Sequence, residues 1–181
     1  LKGWNQIDSF VAVNIQSQTE LLIERSNFYI IHFVKKTVMK EIKRGMKNGI
    51  PIALGYLSVS FSFGAIAVSM GFSVIQAVLI SLLNLTSAGQ FASLGIIAGQ
   101  GTYLEMAIVE LTVNIRYAFM SLSLSQKVDE KFKGIYKWLL SFFITDEIFA
   151  LSMLEENVSR TYFFGLASIS TVGWMLGTTL G

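Results

Sequence analysis

The hydrophobic pattern is dominated by one long stretch without charge: from Asn48 to Leu104 the chain has no Asp, Glu, Lys or Arg. A membrane-spanning helix needs about 20 residues, so this stretch has room for two spanning helices, or for one helix and a hairpin. The first predicted segment covers residues 50–70. Pro51 lies near its start, where a missing N–H costs least, and Gly71-Phe72-Ser73 ends it.

The second predicted segment, residues 74–99, is interrupted by small and polar residues. The run Asn84-Leu85-Thr86-Ser87-Ala88-Gly89-Gln90 lies at the depth where Leu and Ile are expected. Membranes tolerate broken helices where they line protein or a watery cavity, and in transporters the half-helix ends often form the substrate site. The pattern therefore predicts two half-helices that meet at Ser87-Ala88-Gly89-Gln90.

Three further apolar segments follow, at residues 104–125, at 138–154, and from Tyr162 to Gly181. Together the segments predict an all-α polytopic membrane protein with about five hydrophobic segments and a broken or re-entrant second one.

The first 38 residues differ from the rest in being mixed and polar. We predict that residues 1–38 are a tail and that residues 39–181 form the transmembrane domain. Met39 opens a run typical of a membrane-protein N-terminus, so the tail either contains an interfacial helix at 28–34 or is not naturally translated. Because the chain is still apolar at Gly181, we expect the transmembrane domain to be truncated there.

Composition agrees with a membrane protein and removes several function classes. Charged residues are 14% of the chain and hydrophobic ones 52%, against about 25% charged residues in soluble domains. With no cysteine and a single histidine, His32, the hydrophobic part offers no thiolate metal site and no Ser-His pair. The net charge of +2 is too small to suggest nucleic acid. We predict no catalytic residue, metal or cofactor.

The basic residues predict the topology. One group precedes the first segment and another lies in the linker at residues 126–137. The first group consists of Lys35, Lys36, Lys40, Lys43, Arg44 and Lys47, and the second of Lys127, Lys131, Lys133 and Lys137. The positive-inside rule places both groups, and the N-terminus, in the cytoplasm. Three simple spans between them would put the linker outside, so segment 74–99 is predicted to fold back. The alternative is five plain spans with a weak charge bias.

Polar groups at membrane depth are the candidate chemistry, because a charge at the bilayer centre costs about 2.5–3.5 kcal/mol. One polar stripe follows the third segment at helical spacing. It consists of Glu110, Asn114, Tyr117 and Ser121. Arg116 points away from this stripe and is not expected to pair with Glu110. Either Arg116 or the stripe contacts a polar solute, or Arg116 forms an interhelical ion pair with Asp146 or Glu147.

Asp146 and Glu147 are adjacent carboxylates near the middle of the predicted fourth segment, and they point about 100° apart. One of them is able to balance Arg116, while the other, if desolvated, is able to carry a proton. The alternative is that both are structural or lie in a water-filled vestibule.

Three G-x-x-x-G pairs favour close helix packing or dimerisation, although such matches are common by chance in a glycine-rich membrane chain. They are Gly95 with Gly99, Gly173 with Gly177, and Gly177 with Gly181.

An ordered set of motifs in residues 39–181 resembles the AzlC family, the large subunits of bacterial branched-chain amino acid exporters. Each motif alone is weak, and the set is more specific than any member. The motifs are Gly49-Ile50-Pro51-Ile52-Ala53-Leu54-Gly55-Tyr56, Phe61-Ser62-Phe63-Gly64, Ser87-Ala88-Gly89-Gln90-Phe91, Val113-Asn114-Ile115-Arg116-Tyr117 and Thr145-Asp146-Glu147. Tyr117 stands where family members often have His, which leaves any role for an imidazole there in doubt.

The resemblance implies ion-gradient-driven export of valine, leucine, isoleucine or related neutral solutes through the bacterial inner membrane, with a small AzlD-type membrane subunit as partner. Alternatives are a non-transporting membrane subunit and an intramembrane enzyme. The implied substrate-binding residues are Ser87, Gly89, Gln90, Asn114 and Arg116. The implied proton- or ion-coupling residues are Asp146, Glu147 and Glu110. In this hypothesis Gly89 and Gln90 present backbone and amide groups at the helix break, and Arg116 attracts the substrate carboxylate or balances an acid.

Overall fold

The computed structural model describes residues 2–129 and 134–181, with side chains described at residues 25, 26 and from 28 onward. The predicted basic linker residues Lys131 and Lys133 lie outside the described residues. The described part is α-helical and contains no strand, which confirms the predicted all-α class. Its helices are α1 (Lys2–Ser69), α2 (Val74–Leu83), α3 (Ser87–Ala98), α4 (Tyr103–Leu124), α5 (Ile135–Ser141), α6 (Asp146–Met153) and α7 (Arg160–Leu180).

The chain divides into two units, Leu1–Lys40 and Glu41–Gly181. In the first unit residues 2–40 are helical, so the short helix predicted at 28–34 is part of α1. There the rings of Phe28 and His32 are stacked, with centroids 6.4 Å apart. The prediction that residues 1–38 are not naturally translated stays a prediction.

In the second unit, α1 and α7 pack side by side through glycines. A Cβ atom added to Gly45 would lie 2.1 Å from the carbonyl oxygen of Tyr162, and one added to Gly173 would lie 2.4 Å from that of Ala53. A Cβ atom on Gly181 would meet Phe61 in the same way. Because the contacts advance in the same direction along both helices, α1 and α7 run parallel.

The G-x-x-x-G spacing is therefore used within the chain, at Gly173, Gly177 and Gly181. A Cβ atom on Gly177 would lie 2.4 Å from the carbonyl oxygen of Leu57. Gly95 differs, since an added Cβ would meet nothing within 4 Å among the described residues.

The predicted break in the second segment is present, three residues earlier than expected. Residues 84–86 are non-helical, and Ser87–Gln90 form the first turn of α3. Asn84 and Thr86 are extended, with φ of −130° and −122°, and Thr86 Oγ1 donates to Asn84 Oδ1 (2.7 Å). Asn and Thr side chains offer the chain such local bonds in place of helical ones.

The fourth segment, predicted as one helix over 138–154, is also broken, and that prediction was wrong. It consists of the two short helices α5 and α6. Thr145 caps α6 by accepting a hydrogen bond from the N–H of Ile148 (3.4 Å). Asp146 and Glu147 therefore lie in the first turn of α6, not in mid-helix, and carboxylates at this position are favoured by the helix dipole.

Contacts with Glu155 place the start of the packed part of α1 and the end of α4 at the same end of the helical unit. Arg44 Nη1 of α1 donates to Glu155 (2.8 Å), and Lys127 Nζ, just after α4, donates to the Glu155 carbonyl (3.2 Å). We call this the Arg44 end. Since α1 leaves it and α4 returns to it, the α2–α3 hairpin (Val74–Ala98) begins and ends at the opposite end, which we call the Tyr103 end.

The α2–α3 hairpin also folds back on itself. Ser81 Oγ donates to Gln90 Oε1 (3.2 Å), and Ala77 and Leu94 share one buried cluster with Phe63. Both pairs are about equally far from the break, which is the geometry expected when α3 returns along α2. The fold-back predicted for segment 74–99 is therefore present.

The α5–α6 hairpin (Ile135–Met153) begins and ends at the Arg44 end, opposite to the end at which the α2–α3 hairpin begins and ends. It begins near the Arg44 end, where the Arg160 guanidinium lies 4.4 Å above the ring of Tyr136. It ends there too, because Lys127 Nζ donates to the carbonyl of Met153 (2.7 Å). Two broken hairpins thus enter the helical unit from opposite ends. Among the described residues three stretches are long and apolar enough to cross a membrane: Phe28–Ser69, Tyr103–Leu124 and Arg160–Leu180.

Candidate functional site

The tip of the α5–α6 hairpin meets α4 through an ion pair. Arg116 Nη1 lies 2.9 Å from Asp146 Oδ2, and the two side chains are 45% and 39% exposed. Arg116 Nη2 also donates to Tyr117 Oη (3.2 Å). The interhelical ion pair offered by the sequence is therefore present, and Arg116 does not pair with Glu110. Its partial exposure leaves both charged groups within reach of a solute.

Glu147 is held on the other side of the same tip, by α1. Tyr56 Oη donates to Glu147 Oε2 (2.5 Å) and is also hydrogen-bonded to Thr145 Oγ1. Tyr56 is 8% exposed, and its ring packs edge-on against Trp174 of α7 with centroids 5.0 Å apart. The prediction that the two adjacent carboxylates face different surroundings is confirmed, since Asp146 faces α4 and Glu147 faces α1.

The sequence did not single out Tyr56 as a site residue. An aromatic residue in an apolar helix is typical of a core position, and its partners lie 89 and 91 positions away in the chain. The available signal was that Tyr56 closes the first motif of the AzlC-like set.

The tip of the α2–α3 hairpin meets α4 at Glu110. Ser93 Oγ donates to Glu110 Oε1 (2.5 Å), Asn114 Nδ2 donates to Oε2 (2.6 Å), and Asn84 Nδ2 lies 3.3 Å from both oxygens. A Cβ atom on Gly89 would lie 2.7 Å from Glu110 Oε2, so only glycine lets α3 approach this closely. We call Glu110 with Asn84, Ser93 and Asn114 the Glu110 cage.

Gln90 and Ser87 take different positions on the same turn. Gln90 is fully buried, with Oε1 accepting from Ser81, whose hydroxyl also lies 2.7 Å from Thr178 Oγ1 of α7. Its Nε2 has no hydrogen-bond partner among the described residues. Ser87 is half-buried as the first residue of α3.

The predicted site residues thus form separate groups along α4. Asn114 belongs to the Glu110 cage and Gly89 packs against it, while Arg116 pairs with Asp146 about one and a half turns further along α4. Ser121, from the predicted stripe, lines an apolar cavity of about 500 Å³ between α4 and α5. The sequence predicted which polar residues lie along α4 but could not tell which hairpin each α4 side chain meets.

Helices long enough to cross a bilayer, with broken helices between them, define an all-α membrane protein. The chain belongs to the AzlC family: the family profile described as "AzlC protein" matches residues 51–181, which confirms the resemblance found in the sequence.

Named relatives agree with this assignment. A membrane protein of Archaeoglobus fulgidus, described as uncharacterized, is 32% identical over 151 residues, covering 83% of this chain and 65% of its own length. The inner membrane protein YgaZ of Escherichia coli is 27% identical over 142 residues, 76% of this chain and 58% of its own. The branched-chain amino acid transport protein AzlC of Bacillus subtilis is 26% identical over 136 residues, 73% and 53% respectively.

The chain therefore spans between 53% and 65% of the length of these relatives. No solved structure matches it.

Proposed function

We propose that the protein is a secondary carrier subunit that exports branched-chain amino acids or related neutral solutes. The observation that carries the proposal is the Arg116–Asp146 ion pair at the tip of a broken helix, 2.9 Å between charged atoms and partly exposed. The name of the B. subtilis relative, a branched-chain amino acid transport protein, supports the substrate class.

An amino-acid zwitterion matches this pair in charge. Its carboxylate is able to replace Asp146 at the Arg116 guanidinium, and its ammonium is able to replace Arg116 at the Asp146 carboxylate. Because each charge then keeps an opposite partner, the exchange avoids leaving an unpaired charge at membrane depth. In transporters with broken helices, half-helix N-termini point at anionic substrate groups. The N-terminus of α6, which begins at Asp146, is such a half-helix end.

The apolar cavity between α4 and α5 suits an aliphatic side chain. Its lining includes Ala118, two residues after Arg116, and Ile144, two residues before Asp146, together with Leu140. Its volume of about 500 Å³ lies in the range of ordinary small-molecule sites. The apolar lining of the cavity supports a substrate with a branched apolar side chain.

The rest of the arrangement follows the predicted topology. We place the Arg44 end and the N-terminus in the cytoplasm of a bacterial cell, and the Tyr103 end outside. Export is driven by an ion gradient, with Glu110, Asp146 and Glu147 as the coupling candidates. A small AzlD-type membrane subunit is the expected partner.

Efflux of isoleucine, leucine and valine from cells loaded with dipeptides tests the proposal in the protein expressed from its complete gene. Arg116→Ala and Asp146→Ala are each expected to abolish export while the protein still inserts in the membrane. Glu156→Ala, at an exposed carboxylate beyond α6, is the matched control and should export normally. Retained efflux in both ion-pair variants would remove the assignment, and equal amino-acid accumulation with and without the unmodified protein would favour a non-transporting subunit.

A further inference from the structure

A groove at the Arg44 end takes no part in the proposed carrier site. It lies between the α5–α6 hairpin and the start of α7, with Ile42 of α1 beside them, and its volume is about 720 Å³. Its described lining side chains are aliphatic or aromatic except for Arg160 and Thr161. The volume falls in the range of about 300–1,000 Å³ that small-molecule sites occupy. We call this cavity the Arg160 groove.

The groove extends from the end of the helical unit toward its middle. Arg160 is the first residue of α7 and lies beside Tyr136, near the start of α5. Phe142 and Phe143, which also line the groove, follow α5 and precede the hairpin tip at Asp146. The cation therefore lies where α7 begins, and the apolar lining continues toward membrane depth. A phospholipid has the same order, with its phosphate at the membrane surface and its acyl chains below.

The guanidinium of Arg160 is available to an anion. Its Cζ atom lies 4.4 Å from the centroid of the Tyr136 ring, and no carboxylate of a described residue forms an ion pair with it. The carboxylates of Glu41 and Glu155, at the same end, are both bonded to Arg44. A guanidinium is able to stack on an aromatic ring and to bind a phosphate through its N–H groups. The N-terminus of α7 adds a partial positive charge at this position.

The charge at the rim of the groove decides between two kinds of occupant. Apolar side chains on both of its walls are exposed, with Leu139 at 55% and Phe164 at 53%, and such walls suit a lipid chain or a helix of a partner. Basic pockets between membrane helices bind the headgroups of anionic lipids. A partner helix over the groove would cover Arg160 and leave its charge unpaired unless that helix supplied a carboxylate. The unpaired cation therefore favours a lipid.

From these observations we propose that the Arg160 groove is a binding site for an anionic phospholipid, with the lipid phosphate at Arg160 and an acyl chain along Phe142, Phe143 and Phe164. A zwitterionic headgroup binds less tightly, because its ammonium group weakens the attraction of the phosphate to Arg160. The site is separate from the proposed export function, so loss of either proposal leaves the other standing. Its test needs no amino acid.

The experiment uses the fluorescence of Trp138, which lines the groove and is 79% exposed. The full-length protein is reconstituted in phosphatidylcholine vesicles. These contain the same small fraction of either phosphatidylglycerol or phosphatidylcholine with brominated acyl chains, because bromine quenches a tryptophan that it contacts. The quenching of Trp138 is the difference between the unmodified protein and Trp138→Phe, which removes the signal of the other tryptophans.

We expect the quenching to show that brominated phosphatidylglycerol binds about fivefold more tightly than brominated phosphatidylcholine, the effect of one cation on an anionic headgroup. Arg160→Gln should remove most of this preference, and Arg160→Lys, which keeps the charge, should retain it. Lys43→Gln is the matched control, because it removes an exposed cation of α1 that does not line the groove, and its preference should be unchanged.

Several results would overturn the proposal. Equal quenching by the two lipids would show that the groove does not select an anionic headgroup, and weak quenching by both would show that another molecule, such as a partner helix, covers it. An equal loss of preference in Lys43→Gln and Arg160→Gln would assign the effect to the general surface charge. Displacement of brominated phosphatidylglycerol by glycerol phosphate in the buffer would indicate a site for soluble anions instead of a lipid site.

Discussion

Arg116 of α4 and Asp146, the first residue of α6, form an ion pair whose charged atoms are 2.9 Å apart and whose side chains are 45% and 39% exposed. Exposed ion pairs contribute only about 0–1 kcal/mol to stability. A pair that contributes little to folding, yet carries two charges into an apolar unit, agrees with the proposed role toward a solute.

The first prediction separates stability from transport at this pair. In detergent-solubilised protein, Arg116→Ala and Asp146→Ala should each lower the free energy of unfolding by less than about 1 kcal/mol. Arg44→Ala serves as a comparison, because Arg44 is bonded to both Glu155 and Glu41 and its loss should cost more. Losses at Arg116 and Asp146 larger than that at Arg44 would assign the ion pair a structural role instead.

The second prediction concerns the hydroxyl of Tyr56. Tyr56→Phe removes the donor to Glu147 (2.5 Å) and leaves a carboxylate oxygen without its partner, which should lower the free energy of unfolding by about 1–3 kcal/mol. Thermal unfolding of the purified protein measures this. Tyr103→Phe is the matched control, since Tyr103 is 96% exposed and should unfold at an unchanged temperature. An equal melting temperature for Tyr56→Phe and the unmodified protein would contradict the importance of this contact.

The third prediction tests the parallel packing of α1 and α7. Gly173→Ala and Gly177→Ala introduce Cβ atoms 2.4 Å from backbone carbonyl oxygens of α1, so the helices must separate, and we expect a loss of about 1–3 kcal/mol. Gly55→Ala is the control, because its added Cβ meets nothing within 4 Å among the described residues.

In a helix interior alanine is favoured over glycine by about 0.5–1 kcal/mol, so the control should be unchanged or more stable. Helix-packing variants that unfold like Gly55→Ala would show that the close approach of α1 and α7 is not required.

The fourth prediction tests the two opposed hairpins by thiol labelling in the cysteine-free chain. Met70→Cys and Tyr103→Cys, which flank the α2–α3 hairpin, should react with an impermeant reagent from one face of the membrane. Gln126→Cys and Glu156→Cys, which flank the α5–α6 hairpin, should react from the opposite face. Accessibility of Met70→Cys and Tyr103→Cys from different faces would mean that the α2–α3 segment crosses the membrane as a plain span.

Much of the fold was available from the sequence, for identifiable reasons. The uncharged run from Asn48 to Leu104 predicted membrane helices because no soluble surface can be built without charge. The polar run around Ser87 predicted a broken helix, and the structure displaces the break by three residues, to Asn84–Thr86. The break in the fourth segment was missed because apolar Phe142, Phe143 and Ile144 hide it, and only Thr145 gives a capping signal.

The sequence singled out polar residues as candidates for the site but did not predict how they group in the structure. Helical periodicity predicted that Arg116 and Glu110 point to different faces of α4, because the direction of each side chain depends only on its position along the helix. Which partner each residue meets depends on contacts between residues far apart in the chain. Asn84 and Glu110 are 26 positions apart, and Tyr56 and Glu147 are 91 positions apart. The local sequence around each residue does not predict these long-range contacts.

The sequence by itself determined that this is a helical membrane chain of the AzlC type, with charges held at membrane depth. The helical membrane character and the charges follow from hydropathy and helical spacing, which are local, whereas the AzlC resemblance rests on the ordered set of motifs. Only the tertiary structure decided that two broken hairpins enter from opposite ends and divide the polar residues of α4 between them. That division depends on where α1 and α7 pack, because close contact at Gly173 and Gly177 fixes the space into which each hairpin tip fits.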